Sequence, residues 1–161
     1  MKALTLWRPW PRLVSEFGKD VENRGWRPPE SLLGKWLALH AGRKVDWENA
    51  QRFKYVLATE NGSSRWGMTD DELVGSEGIV GVCMVTGWIH AVEGQVLWGG
   101  AVGETEAGRI LDGLWFSGPY GWVLHNVVAL PEPLPCKGRQ GLWNVPKTLV
   151  AEIVRQIGRE P

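Results

Sequence analysis

The chain has 161 residues, 43% of them hydrophobic and 22% charged, with a net charge of zero. That composition suits one soluble globular domain, 1–161, long enough to bury a core without disulfides. It argues against a membrane span, which needs an apolar run of ~20 residues, and against a disulfide scaffold or zinc site, because Cys83 and Cys136 lack ligand spacing. The cytoplasm is therefore the expected compartment. The opening residues carry no apolar leader core or cleavage site, so no secretory signal is expected.

Lys2 to Trp7 alternates residue classes ahead of Pro9 and predicts a strand. Pro9 to Phe17 predicts a short helix, with Trp10, Leu13, Val14 and Phe17 at helical spacing and Gly18 as the stop. Val21 to Trp26 is polar and extended or loop-like. Gly34 to Ala41 predicts a strand with Trp36, Ala38 and His40 on one face and Leu37, Leu39 and Ala41 on the other. Val45 to Ala58 predicts an amphipathic helix with Asp46 as its N-cap. Glu60 to Glu77 reads as a loop. Gly78 to Ala91 predicts a long apolar strand, bent or bulged at Gly81 and Gly87.

Val92 to Gly113 is Gly-rich and acidic and reads as an insertion or long loop. Tyr120 to Leu130 predicts a strand with Trp122, Leu124, Val128 and Leu130 on one face. Pro131 to Pro135 follows as a stiff connector and Gly141 to Val145 as a short closing strand. Pro146 opens a last helix whose apolar stripe is Leu149, Val150, Ile153, Val154 and Ile157. Five or six strands with few helices predict an α+β fold: a twisted, partly closed β-barrel flanked by helices, with loop elaborations near 60–76 and 92–113.

Charge and tryptophan are unevenly spread. Residues 1–54 hold 11 Lys/Arg against 6 Asp/Glu, residues 55–114 hold 2 against 9, and residues 115–161 hold 5 against 3. Of the 11 tryptophans, eight lie in the two basic end segments, and six of these (Trp7, Trp10, Trp26, Trp115, Trp122 and Trp143) fall in two short stretches that also hold much of the polar chemistry. An indole offers a broad stacking face and one N–H donor, and neighbouring Arg or Lys adds cation–π and phosphate contacts. If the two ends meet in space, they form a positive aromatic face suited to a flat heterocycle on a charged backbone. Tryptophan is also core filler, and six or more of the 11 are expected to be buried.

Gly18-Lys19-x-x-Glu22-x-Arg24 is the densest polar cluster. On an extended segment Glu22 and Arg24 share a face. Lys19 and Arg24 could hold a phosphate, or Lys19 could act as a general acid or base. Glu22 could accept from an exocyclic amine or activate a water. The bland alternative is a surface salt bridge worth about 0–1 kcal/mol. His40, at a strand end, is more often structural than catalytic; His90 and His125 are weaker candidates. No His pair has metal-ligand spacing, so no structural metal is expected; no cofactor is expected either. Lys137-Gly138-Arg139-Gln140-Gly141-Leu142-Trp143 is the second chemical segment. Its glycines allow close backbone approach, Lys137 and Arg139 offer phosphate contacts, and Gln140 offers an amide for a base edge.

These residues resemble a known family. Leu6-Trp7-Arg8-Pro9-Trp10, the Gly18–Arg24 segment and Trp36-Leu37-Ala38-Leu39-His40-Ala41 are similar to the opening of an ASCH domain. Gly118-Pro119-Tyr120-Gly121-Trp122-Val123-Leu124 and the Lys137–Trp143 turn are similar to its closing half. The resemblance covers most of the chain outside the two elaborations. It implies a PUA-like barrel with a cleft, in a superfamily of RNA binders, modified-base readers and RNA-related enzymes. The smallest members hydrolyse an acyl amide on a modified cytidine with a Lys, a Thr three residues later and a distant Glu. Lys19 matches the Lys, but Glu22 stands where the Thr would be, and Glu77 is at best a stand-in for the distant acid.

The leading expectation is a binding module for RNA, or for single-stranded or modified nucleic acid or a nucleotide. A base would stack in a Trp-lined basic cleft built from Trp7, Arg8, Trp10, Lys19, Glu22, Arg24, Trp26, His40, Lys137, Arg139, Gln140 and Trp143. The first alternative is a metal-independent ribonuclease or a nucleobase or nucleoside amidohydrolase. It would use Lys19 and Glu22 as acid/base partners, with Arg24 stabilising negative charge. The second alternative is a protein-interaction scaffold. A monomer away from membranes is expected.

Overall fold

The computed structural model describes residues 1–60 and 69–158, with residues 57–60 described as backbone only. Among the described residues seven strands and five helices follow in the order β1 (Lys2–Arg8), α1 (Trp10–Phe17), β2 (Val21–Arg24), β3 (Lys35–Val45), α2 (Trp47–Glu60), α3 (Asp70–Val74), β4 (Gly78–Val92), β5 (Gln95–Gly100), α4 (Glu104–Leu111), β6 (Tyr120–Leu134), β7 (Leu142–Asn144) and α5 (Lys147–Ile157). A 3₁₀ turn at Glu30–Leu32 precedes β3. The fold is α+β, with one strand more than the upper expectation.

The strands form one sheet in the order β2-β6-β4-β3-β1-β7, with β5 paired to β4. Only β1 and β3 run parallel; every other pair is antiparallel. β4 organises the sheet: it pairs β3 along 78–85 and β5 along 87–92, with β6 beside it. The end strands β2 and β7 do not pair, so the sheet is open and not a closed barrel. Because β1 lies between β3 and β7, the first and last strands are neighbours.

Three clusters cover the sheet. Leu4, Leu6, Leu37, Leu39, Cys83, Val85, Trp122 and Leu124 pack under Val14 of α1. Ala38, Ile79, Val82, Leu130, Leu134 and Trp143 pack on the other side with Ile153 of α5. Val21, Ile89 and Val123 pack beneath Ala107 and Ile110 of α4. A fourth cluster joins α1, α2 and α3 through Leu13, Ala50, Phe53 and Leu73. Cys83 is wholly buried, and desolvation pushes its thiol far up, as for a core residue.

Two expected loops contain regular structure. The 92–113 segment holds β5 and α4, because β5 continues a hairpin with the far half of β4 and buries Val96 against the α4 cluster. Within the 60–77 segment, residues 61–68 lie outside the described residues, while Asp70–Val74 is helical. There Thr69 accepts from the Glu72 N–H at 3.2 Å and the Glu72 carboxylate accepts from the Thr69 N–H at 2.7 Å, a capping box.

The single face expected on β6 also fails. Asn126 has φ 50° and the β4–β6 register shifts between Val82 and Met84. The bulge reverses the alternation, so Trp122 and Leu124 join the α1 side while Val128 and Leu130 join the α5 side. Tryptophan burial departs from expectation too. Of the ten described tryptophans only Trp122 and Trp143 are buried; Trp7, Trp26, Trp47 and Trp98 are exposed and the other four are partly covered. No helix among the described residues is long and apolar enough to cross a membrane.

Candidate functional site

A cavity of about 1000 Å³ opens where β1, β2 and β3 face the segment before β7. Its lining brings both basic ends together. Trp7, Trp10, Lys19, Glu22 and Arg24 come from the first; Lys137, Arg139 and Gln140 come from the second, and His40 lies among them. The volume is at the upper end of what small-molecule sites enclose.

The end of α1 sets Lys19. Gly18 takes φ 75°, the left-handed conformation that closes a helix, and the Lys19 N–H donates to the Leu13 carbonyl at 3.0 Å. The side chain then turns inward and is 1% exposed. Its ammonium donates to the Val21 carbonyl, lies 3.6 Å from a Glu22 carboxylate oxygen and sits 5.5 Å from the Trp10 ring centroid. Arg24 reaches the other Glu22 oxygen at 3.7 Å. Glu22 is thus a buried carboxylate between two cations. Desolvation raises its pKa, against the attraction of Lys19 and then Arg24. Desolvation lowers that of Lys19, against the attraction of Glu22. The cluster is a buried network, not the surface salt bridge of the bland alternative.

Strand register places the second wall. Thr5 of β1 pairs with His40 of β3, and alternation puts Trp7 on the same face as Thr5. His40 Nε2 lies 3.1 Å from the Cys136 carbonyl, which can only accept, so Nε2 carries the proton. Its Nδ1 is buried without a hydrogen-bond partner among the described residues. Thr5 Oγ1 accepts from the Trp143 indole N–H at 3.0 Å. Gly138 lies over this pair: a Cβ there would sit 2.5 Å from both Thr5 Oγ1 and the His40 ring. Only glycine lets the 137–141 segment lie this close.

Three expected site residues do not line the cavity. The Arg8 guanidinium donates to the carbonyls of Gly42, Gly75 and Arg43 at 3.0–3.1 Å and meets Glu77 at 3.5 Å, so it is a brace between segments. Trp26 packs edge-on against Trp122 with ring centroids 4.6 Å apart, and its carbonyl accepts the Trp122 indole N–H. Trp143 is buried edge-on to His40. Neither of these two rings offers a stacking face to the cavity. Trp7 lines the cavity and is 48% exposed, with Lys44 Nζ over one ring face, 3.3 Å from the centroid.

The sequence reading missed Thr5, Asn23, Arg43, Asn49 and Cys136, all of which line the cavity. Period-two alternation from Trp7 points to Thr5. Asn23 lies inside the Lys19–Arg24 motif; its amide donates to the Trp115 carbonyl at 2.7 Å and its Oδ1 accepts the Ser117 N–H at 3.0 Å. Arg43 and Asn49 depend on β3 running on to Val45, which the sequence did not signal.

The sequence matches no family model and no curated protein. Among solved structures, that of a mutant ZmASCH protein from Zymomonas mobilis is similar in chain course. It covers 96% of this chain and 96% of its own, at 11% sequence identity and a TM-score of 0.48.

Proposed function

We propose that this protein binds single-stranded or modified RNA, with one base entering the cavity against Trp7 and the adjoining phosphates held by Lys137, Arg139 and Arg43. The observation that carries the reading is the convergence of the two basic ends on one space. Five cationic side chains line it (Lys19, Arg24, Arg43, Lys137 and Arg139) against the carboxylates Glu22 and Glu77. A neutral protein thus concentrates positive charge where an exposed indole stands, which favours a polyanion carrying flat rings. The motif resemblance to ASCH domains supports the same ligand class. The test is titration of RNA and single-stranded DNA at two salt concentrations. Affinity that falls as salt rises is expected; no binding to either polymer at low salt would remove the reading.

One observation favours a hydrolytic variant of this reading. A buried ammonium whose pKa is lowered stands beside a carboxylate at the cavity wall, and such a pair can relay a proton. Lys19→Ala and Glu22→Ala decide it when each is assayed for both turnover and binding. Loss of RNA cleavage with binding retained would establish the enzyme; absence of any cleavage by the wild type would leave the binder.

A further inference from the structure

Beside the cavity, and sharing Arg24 with it, a row with two stacked rings crosses the sheet; the sequence motifs contained Tyr120 but did not signal the row. Arg24 of β2, which lines the cavity, pairs in register with Tyr120 of β6. Tyr120 pairs with His90 of β4, and His90 with Leu97 of β5. Directly opposed residues in antiparallel strands share a face. The four therefore form one row across four strands, about 14 Å long at ~4.8 Å per strand. The neighbouring row on the same face holds Glu22, Trp122, Trp88 and Gly99.

Near the cavity this face is covered, with Trp26 over Trp122. Farther out it emerges. Tyr120, His90 and Trp88 are partly exposed and Leu97 is 57% exposed. The His90 and Tyr120 rings stack on each other, 4.3 Å between centroids and 27° between planes. The cations on this face are aimed at rings: Arg27 lies 5.2 Å from the Trp88 centroid and Arg24 lies 5.8 Å from that of Trp26. Arg27 also pairs with Glu30 at 2.8 Å. The opposite face at these positions carries Val21, Ile89, Val96 and Val123, and α4 occupies it. Neither Tyr120 nor His90 belongs to any of the hydrophobic clusters the helices cover.

We infer that this row is a second subsite, which stacks a base flanking the one in the cavity, so that the protein takes a strand of several nucleotides and not a mononucleotide. The inference rests on the cavity reading above. Its supports are continuity and charge. Arg24 belongs to both places, and a preformed two-ring stack with arginines beside it accepts any base, since every base has a π-face.

The experiment compares binding of the four nucleoside monophosphates with that of a mixed-sequence RNA octamer, using the full chain. In the wild type the octamer binds at least tenfold more tightly than any monophosphate. Tyr120→Ala and His90→Ala each weaken the octamer roughly 5- to 150-fold, the range alanine substitution gives for a stacked base. Both leave monophosphate binding unchanged, which also reports that the variants fold. Tyr120→Phe keeps the ring and stays near wild type. Leu97→Glu, at the exposed end, weakens the octamer alone by charge repulsion. An octamer no tighter than a monophosphate, or unaffected by Tyr120→Ala, overturns the second subsite and leaves the cavity reading standing. Absence of wild-type binding to every probe overturns the cavity reading itself.

Discussion

Replacing Glu22 with Gln removes one charge from the buried cluster and leaves Lys19 behind. The ammonium is 1% exposed and keeps the Val21 carbonyl and the Trp10 ring but no carboxylate beside it. Two unit charges 3.6 Å apart attract by about 4–5 kcal/mol at an effective dielectric of about 20. Arg24, a quarter exposed, can rehydrate, so the loss falls mainly on Lys19. The loss has a ceiling, because Lys19 can shed its proton. At pH 7 that costs about 4.6 kcal/mol for a group whose ordinary pKa is about 10.4. A loss of about 3–4 kcal/mol at pH 7 is therefore expected, in the range for breaking a buried pair. At pH 9.5 the same ceiling is only about 1.2 kcal/mol. The sign follows from linkage. Burial lowers the folded pKa of Lys19, so the folded state binds fewer protons than the unfolded chain. Stability then rises with pH up to the unfolded value, more so in the variant. Urea unfolding of wild type and variant at both pH values measures the difference. A loss under about 1 kcal/mol at pH 7, or one that does not shrink at pH 9.5, refutes Lys19 as a buried charge dependent on Glu22.

Gly138→Ala places a Cβ 2.5 Å from Thr5 Oγ1 and the His40 ring. Overpacking of this kind costs about 1–3 kcal/mol, which thermal unfolding will show. It also moves Lys137 and Arg139 off the cavity wall, so RNA affinity falls as well. Trp122→Ala empties a fully buried site and forfeits the hydrogen bond to the Trp26 carbonyl. A loss of about 3–5 kcal/mol is expected from denaturant unfolding. Lys137→Ala with Arg139→Ala removes two phosphate contacts. The slope of log affinity against log salt should flatten by about 1.4, at ~0.7 per contact on a single strand, in a titration over several salt concentrations.

Much of the fold was legible because its signals are local. Pro9 and Gly18 bracket α1, and Asp46 Oδ1 accepts the Asn49 N–H at 3.3 Å as the expected cap of α2. Leu37 and Leu39 on one side, Trp36 and Ala38 on the other, and Leu149, Val150, Ile153 and Ile157 of the expected stripe match the clusters they form. The misses arise where a residue serves a distant partner. Gly99 reads as a loop former, yet it lies in β5 opposite Trp88, where a Cβ would meet the indole at 2.8 Å. Asn126 gives no sign in the sequence that it will take φ 50° and reverse the faces of β6. In the site, the Lys19–Arg24 spacing foretold the Glu22–Arg24 contact, but not that Lys19 would be buried. The turn carrying Lys137 and Arg139 also carried Trp143, whose ring goes inward because Leu142 to Asn144 forms a strand against β1. Composition could not separate a tryptophan that meets ligand from one that fills the core.

The indole N–H of Trp143 meets a hydroxyl 138 positions earlier in the chain. During synthesis, the part of the cavity built by residues 1–49 therefore waits without its opposite wall until residues 136–143 have been made. Such long-range closure slows folding. A ligand bound as proposed between these two walls would favour the folded form by RT ln(1 + [L]/Kd), so removal of β7 is expected to weaken such binding while sparing most of the sheet.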